Sequence, residues 1–176
     1  ITHYNLSDFF FFFRMTNQIS ILDWTDLKIL DILQKDGKIS NLKLAGEVNL
    51  SATAVLARVQ KLTNEGYILG YEAKLNPELL NASFVVFVEI LLDKTTPNIL
   101  ESFSDAVLHF PEIMACHMVS GGFDFLVKIR CENMEAFRRI SGQILWKLPG
   151  IKETRSYPVM EVIKDSGQLS LPTKLK

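Results

Sequence analysis

Charge of one sign is missing from this sequence: 19 lysines and arginines stand against 20 aspartates and glutamates over 176 residues, a formal net charge of −1. Overall charge therefore gives no pull toward nucleic acid or an anionic membrane, and either partner has to be argued from local patterning. Cysteine is scarce. Cys116 and Cys131 lie fifteen residues apart and outside any CxxC or Cys/His cluster, which excludes a disulfide framework and leaves free thiols of a reducing cytosol. His109 and His117 have no carboxylate or thiol at ligand spacing, so no metal site is read. There is no phosphate-binding loop, no dinucleotide fingerprint and no Ser/His/Asp arrangement; no catalytic residue or cofactor is expected, and the chain is read as a non-enzyme. Long apolar runs are also absent. Phe9–Phe13 falls far short of the ~20 residues of a membrane helix, and no membrane partner is expected.

What is present is a composition of 48% hydrophobic and 22% charged residues, enough for one or two small domains with cores. Residues 1–14 look unlike the remainder, and with Met15 directly after them they are expected to be a non-native or wrongly assigned leader.

The stretch Ser40–Gly66, SNLKLAGEVNLSATAVLARVQKLTNEG, contains two helix starts, with Ser40 and Ser51 placed to cap orphan backbone N–H groups. Leu42, Leu44, Ala45 and Val48 give the first helix an apolar face, and Asn49-Leu50 turns the chain. In the second, Val55, Val59 and Leu62 recur at helical spacing and leave Thr53, Ala54, Ala57, Arg58 and Lys61 outside; Gly66 closes it. Upstream, Leu22–Asp36 places Leu27, Ile29, Leu30, Ile32 and Leu33 in the same rhythm and is closed by Gly37. The spacing predicts a three-helix unit whose core holds Leu30, Leu33, Ile39, Leu44, Val48, Val55, Val59 and Leu62. Two short helices joined by a tight turn are what a helix-turn-helix needs to enter a major groove. Yet from Leu22 to Glu72 six lysines and arginines face seven acids, so phosphate contact has to rest on Arg58, Lys61, Lys38, Lys43 and helix N-terminal amides.

Tyr67–Tyr71 reads as a short extended piece, and Asn76-Pro77 marks a hinge. Beyond it the periods alternate: strand 83–92, helix 97–110, strand 112–120, a Gly121-Gly122 turn using φ-permissive residues, strand 123–130, helix 134–148 stopped by Pro149-Gly150, and strand 151–163. This βαββαβ order predicts a ferredoxin-like antiparallel sheet with both helices on one face. The other face must be covered, and Val85, Phe87, Phe125, Val127 and Val159 suggest a second subunit as the cover. The fold class is α+β, with domains at 15–71 (helix-turn-helix, winged-helix-like), 72–82 (hinge), 83–164 (sheet domain) and 165–176 (tail).

Five runs carry a resemblance: LDWTDLKILDILQKDGKISNLKLA from Leu22, the LS…V..RV..L..EG.I.GY pattern from Leu50 to Tyr71, VVFVEI at 85–90, CHMVSGGFDFLVK at 116–128, and LPGIKETRSYPVMEVIK at 148–164. In their order and spacing the chain resembles the Lrp/AsnC family of prokaryotic transcription regulators, and among them the leucine-responsive members. It departs from them at Ala52 and Ala54, where relatives carry prolines, at Gly122, where they often carry Asp, and at Pro158. The resemblance implies a helix-turn-helix joined by a hinge to a regulatory domain called RAM, dimers that pair through their sheets and associate into octamers or other rings, and small amino acids bound near the dimer contacts. The implied function is a cytoplasmic regulator of amino-acid metabolism genes that binds double-stranded DNA and responds to leucine or a similar amino acid. A narrower regulator of one amino-acid pathway, or an effector-binding module acting on a protein partner, is the competing reading.

For DNA the candidate residues are Lys38, Lys43, Ser51, Thr53, Ala54, Ala57, Arg58 and Lys61. Thr53 can bond a phosphate or base edge, Ala54 and Ala57 leave room for thymine methyls, and Arg58 can make a bidentate contact to guanine. Alternatively Arg58 is a solvated charge paired with Glu65. For the effector the candidates are Met118, Ser120, Gly121, Gly122, Phe123, Asp124, Tyr157 and Val159. Backbone N–H groups at the glycines can approach a carboxylate, Asp124 can receive an α-ammonium, and Met118, Tyr157 and Val159 can supply an apolar wall. Alternatively Gly121-Gly122 is only what a tight hairpin requires, and Asp124 ties down the turn.

Overall fold

The computed structural model describes residues 22–145 and 147–172; the expected leader at 1–14 lies outside them. The described chain divides into two units, 22–73 with 166–172, and 74–165. The division falls at the start of the stretch read as a hinge, and the tail groups with the first unit.

In the first unit each helix begins on a side chain that accepts from its own third residue. For α1 (Trp24–Lys35), Asp23 accepts from the Asp26 N–H at 2.8 Å while the Asp26 carboxylate accepts from the Asp23 N–H at 3.3 Å, a reciprocal box. Ser40 caps α2 (Asn41–Val48) and Ser51 caps α3 (Ala52–Asn64), through bonds from Lys43 N–H at 3.3 Å and Ala54 N–H at 3.2 Å. Asn49, in the left-handed region, turns α2 toward α3. At the end of α3, Gly66 has φ +79°, and the N–H groups of Gly66 and Tyr67 return to Thr63 and Leu62. That pairing completes a Schellman closure, which a residue with a Cβ adopts only under strain. Gly37 works differently: its φ is not left-handed, and a Cβ there would come within 2.9 Å of the Tyr71 ring. Space, not backbone handedness, calls for glycine at that position. Tyr67–Tyr71 forms no strand ladder.

The core of this unit is Ile29, Leu44, Ala45, Val48, Val55 and Leu62, with Leu30, Leu33, Ile39 and Val59 packed at its margin. Ile29 rather than Leu30 or Leu33 is its fully buried centre on α1. The Gln34 amide donates to the Leu169 C=O at 3.0 Å and accepts from the Leu169 N–H at 2.9 Å, holding the tail against α1.

The second unit is a four-stranded antiparallel sheet in the order β2-β3-β1-β4, with β1 Phe84–Leu92, β2 Ile113–Met118, β3 Phe125–Cys131 and β4 Ile151–Pro158. Helices α4 (Ile99–Val107) and α5 (Met134–Leu145) accompany it. Val86, Val88, Ile90 and Leu92 of β1, with Phe125, Val127, Ile129 and Cys131 of β3, form one cluster with Ile99, Phe103, Val107, Ala136, Phe137 and Ile144 of the helices. Phe103 is fully buried and its ring lies 4.5 Å from that of Phe125. Phe125 and Val127 therefore belong to the helix-covered face and not, as the sequence suggested, to the face awaiting a cover. Alternation assigns the opposite face to Val85, Phe87, Glu89 and Leu91 of β1, Leu126, Lys128 and Arg130 of β3, and Glu153, Arg155 and Tyr157 of β4. This face is mixed in character, with ions between its apolar side chains.

Helix α4 spans Ile99–Val107 rather than 97–110, β3 spans Phe125–Cys131 rather than 123–130, and other ends shift as well. Helix α5 stops at Leu145 rather than 148, β2 ends at Met118 rather than 120, and β4 ends at Pro158 rather than 163. The Val159 N–H still reaches the Val85 C=O at 2.9 Å, so by alternation the nitrogen of Pro158 points to the outer edge of the sheet. Proline there removes no bond to β1, which is why the strand tolerates it.

Phe103→Ala is expected to destabilise the second unit by about 3–5 kcal/mol, because the cavity beside Phe125 cannot collapse against a sheet. Urea unfolding followed by near-ultraviolet circular dichroism checks it; a loss below about 1 kcal/mol would contradict this account of the core.

Candidate functional site

The outer side of α3 carries Thr53, Ala57 and Lys61 in the open, with Ala54 half-buried, and Lys38 and Lys43 are exposed on the segments before it. Ser51 is used as the helix cap. Lys61 lies 3.9 Å from Glu65, a loose surface pair.

Arg58 does not join this group. Its guanidinium lies 2.6 Å from an Asp23 carboxylate oxygen and 2.7 Å from one of Asp26, whose side chain is only 4% exposed. The bonds it donates to Asp26 and then to Asp23 hold the guanidinium above its ordinary pKa. Burial works to raise the Asp23 carboxyl, but the Asp26 N–H and then Arg58 outweigh it and hold Asp23 below the usual carboxylate range. The bidentate contact to guanine read from the sequence is thus displaced, and so is the alternative pairing with Glu65: Arg58 spends its charge on the capping box of α1, locking α3 to the N-terminus of α1.

The second cluster surrounds the loop Val119–Asp124. It is a six-residue connection, not a tight hairpin, and neither Gly121 nor Gly122 adopts a positive φ. A Cβ added at either would meet nothing within 4 Å. Backbone conformation and packing thus give no reason for glycine here. Asp124 is 8% exposed. One carboxylate oxygen accepts from the Leu92 N–H at 2.9 Å and the other pairs with the Lys94 ammonium at 2.7 Å. Its own N–H donates to the Ile90 C=O and its C=O accepts from the Val119 N–H, each at 2.9 Å. Lys94 and then the Leu92 N–H hold the acid below its usual range. The role expected for it, receiving an α-ammonium, is already filled by Lys94; Asp124 ties the loop to the end of β1.

The remaining effector candidates do not converge. Met118 is on β2 and Tyr157 on β4, opposite edges of the sheet and about 14 Å apart at three strand spacings. Val159 bonds to Val85 at the far end of β1 from Ile90, about 17 Å along the strand from the loop. One protomer cannot build a single apolar wall from these three. Ser120 is exposed on the loop. Gly122 and Phe123, in contrast, meet Glu89, Leu91, Glu153, Thr154 and Arg155 around a shallow hollow on the open sheet face. Arg155 pairs with Glu153 at 2.9 Å, and the Tyr157 hydroxyl bonds Glu89, which pushes the phenol above its ordinary value. Glu89, Glu153 and Arg155 were not singled out from the sequence; a charged side chain in each of two strand-like runs was the available signal. Among the described residues no His, Cys, Asp and Glu group could hold a metal ion, and no helix is long and apolar enough to cross a membrane.

The chain matches the family model for the Lrp/AsnC ligand-binding domain over residues 85–169 and that for a winged helix-turn-helix DNA-binding domain over 22–68. It is 48% identical over 153 residues to the leucine-responsive regulatory proteins of Klebsiella pneumoniae and Escherichia coli K12, which covers 87% of this chain and 93% of each relative. Among solved structures it is similar to a Neisseria meningitidis transcriptional regulator in complex with L-Met (TM-score 0.80, 31% identity, 85% of this chain and 96% of that one). It is also similar to an AsnC family regulator from Agrobacterium tumefaciens (TM-score 0.81, 32% identity, 85% and 97%).

Arg58→Ala strands the Asp26 carboxylate and is expected to lower the stability of the first unit by about 2–4 kcal/mol; a thermal melt within 1 °C of the parent would refute the coupling. Asp124→Asn loses the Lys94 pair. Because the native pKa of Asp124 is lowered, its contribution is complete above the ordinary value of 3.8 and is lost as pH falls toward the native value. The stability difference between parent and Asp124→Asn should therefore be largest above about pH 5 and shrink steadily below pH 4, as measured by urea midpoints across pH.

Proposed function

The chain belongs to the Lrp/AsnC family of DNA-binding, amino-acid-responsive transcription regulators, and we propose that its effector is leucine or another small apolar amino acid, taken at the hollow beside the Val119–Asp124 loop. The carrying observation is chemical: Gly122, for which neither φ nor packing requires glycine, borders a hollow that also holds Glu89, Glu153 and Arg155. A free amino acid has one cation, one anion and a side chain. The glycine backbone and Arg155 suit its carboxylate, Glu89 and Glu153 suit its ammonium, and Leu91 and Phe123 offer apolar contact. Asp124 serves by fixing the loop, and Met118, Tyr157 and Val159 fall to a neighbouring contact or to none.

The hollow is shallow, and the face around it bears Phe87, Leu91 and Leu126 among ions. A second copy meeting this face would deepen the site and cover those side chains, so dimers, and larger assemblies of them, are the proposed working form. The compartment is the cytoplasm, and the targets are genes of amino-acid metabolism. On the DNA side, α3 is the reading helix, Lys38, Lys43 and Lys61 supply phosphate contact, and Thr53, Ala54 and Ala57 face the groove.

Calorimetric titration with leucine, methionine and alanine tests the effector site. Glu89→Gln with Glu153→Gln is expected to weaken binding at least tenfold, the worth of one charge-assisted bond of about 1.5–3 kcal/mol. Equal affinity in the parent and the double variant would dismiss the hollow. Duplex binding should fall steeply with salt, by about one power of concentration for each phosphate contact.

A further inference from the structure

With Arg58 withdrawn, the question is which side chain of α3 distinguishes one base pair from another. Thr53, Leu56, Ala57 and Gln60 recur at i, i+3, i+4 and i+7, and all four are exposed. That spacing is how a helix lying along the major groove presents one stripe to base edges. Leu56 is 43% exposed although apolar, while Val55 and Leu62, on the reverse side, are fully buried. Gln60 and Arg58 are two residues apart and so lie about 160° apart around the axis; the ion triad that holds Arg58 turns Gln60 outward.

Among the described residues the Gln60 amide makes no hydrogen bond. It carries a donor and an acceptor in one plane. Adenine offers the matching pair in the major groove, an acceptor at N7 and a donor at N6, whereas guanine offers two acceptors, which would leave the amide oxygen facing an oxygen. Leu56 and Ala57 next to it suit a thymine methyl, and Lys61 adjoins the stripe to meet phosphate.

We infer that Gln60 is the base-specificity determinant of this chain, selecting adenine at one position of each half-site, with Leu56 favouring a neighbouring thymine. Arg58 is a positioning residue that sets the rotation of α3. The inference rests on the reading that α3 enters the major groove, and the experiment separates the two.

The full chain and its Gln60→Ala, Gln60→Arg and Lys61→Ala variants are each used to select duplexes from a randomised pool, and affinities for the selected site are measured across a salt series. Gln60 is exposed, so its variants are expected to retain the parent melting temperature. The parent should enrich adenine at symmetric positions. Gln60→Ala should lose that enrichment, with a roughly 5- to 100-fold drop for the selected site and an unchanged salt slope, because a neutral amide releases no counterion. Gln60→Arg should move the preference to guanine at the same positions, and Lys61→Ala should reduce the slope by about one while keeping the selected sequence. If the parent binds duplex and Gln60→Ala selects the same sequence, the inference is overturned while the groove reading stands. If the parent ignores duplexes at low salt, the groove reading fails and takes the inference with it.

Discussion

A carboxylate taken out of water must be paired, and in the first unit Asp26 meets that demand with Arg58. Asp26 closes the capping box of α1, and Arg58 comes from the middle of α3 to neutralise it. The consequence reaches beyond the pair. A helix-turn-helix works only if its second helix is held at one rotation, and packing of Val55, Val59 and Leu62 against Ile29 and Leu44 sets that rotation loosely, since apolar contacts have no preferred direction. Two charged bonds from one guanidinium to two carboxylates are directional. They fix which stripe of α3 faces outward.

The second unit solves a comparable problem with Asp124. A sheet with helices on one side has a dry face and a wet one, and the loop between β2 and β3 must be anchored for its backbone to be of use. Asp124 bonds β1 through its side chain and its own N–H, so the loop is fixed at its C-terminal end while Gly121 and Gly122 remain in the open. The acid that reads as a ligand contact is the anchor, and the charged side chains around the hollow, Glu89 on β1 with Glu153 and Arg155 on β4, stand one and two strand spacings from β3.

Much of the fold was legible because its signals are local. Ser40 and Ser51 cap their helices through bonds only three residues long, Gly66 closes α3 within the same turn, and the run of Val, Ile and Phe in β1 identifies a strand without reference to any partner. The order of periods was enough to name the βαββαβ arrangement. What was not legible depends on register. Arg58 lies 32 residues from Asp26, and no periodicity announces that pair. Phe125 and Val127 were assigned to the wrong face because a strand buried on one side and half-covered on the other alternates only weakly in hydropathy. Met118, Tyr157 and Val159 were grouped by chemistry alone, whereas the strand order β2-β3-β1-β4 sets the first apart from the others. The glycine pair misled in the opposite way: it looked like a structural necessity and is not one.

Pro158 at the outer rung of β4 has an implication for how copies of this chain can join. An edge strand normally offers a row of N–H donors on which a stray peptide can polymerise, and here the last donor is replaced by a ring carbon. A strand added along this border would find no donor at the end of β4, and its ladder would stop there. An assembly that closes on itself stays soluble; a ribbon that keeps recruiting strands does not.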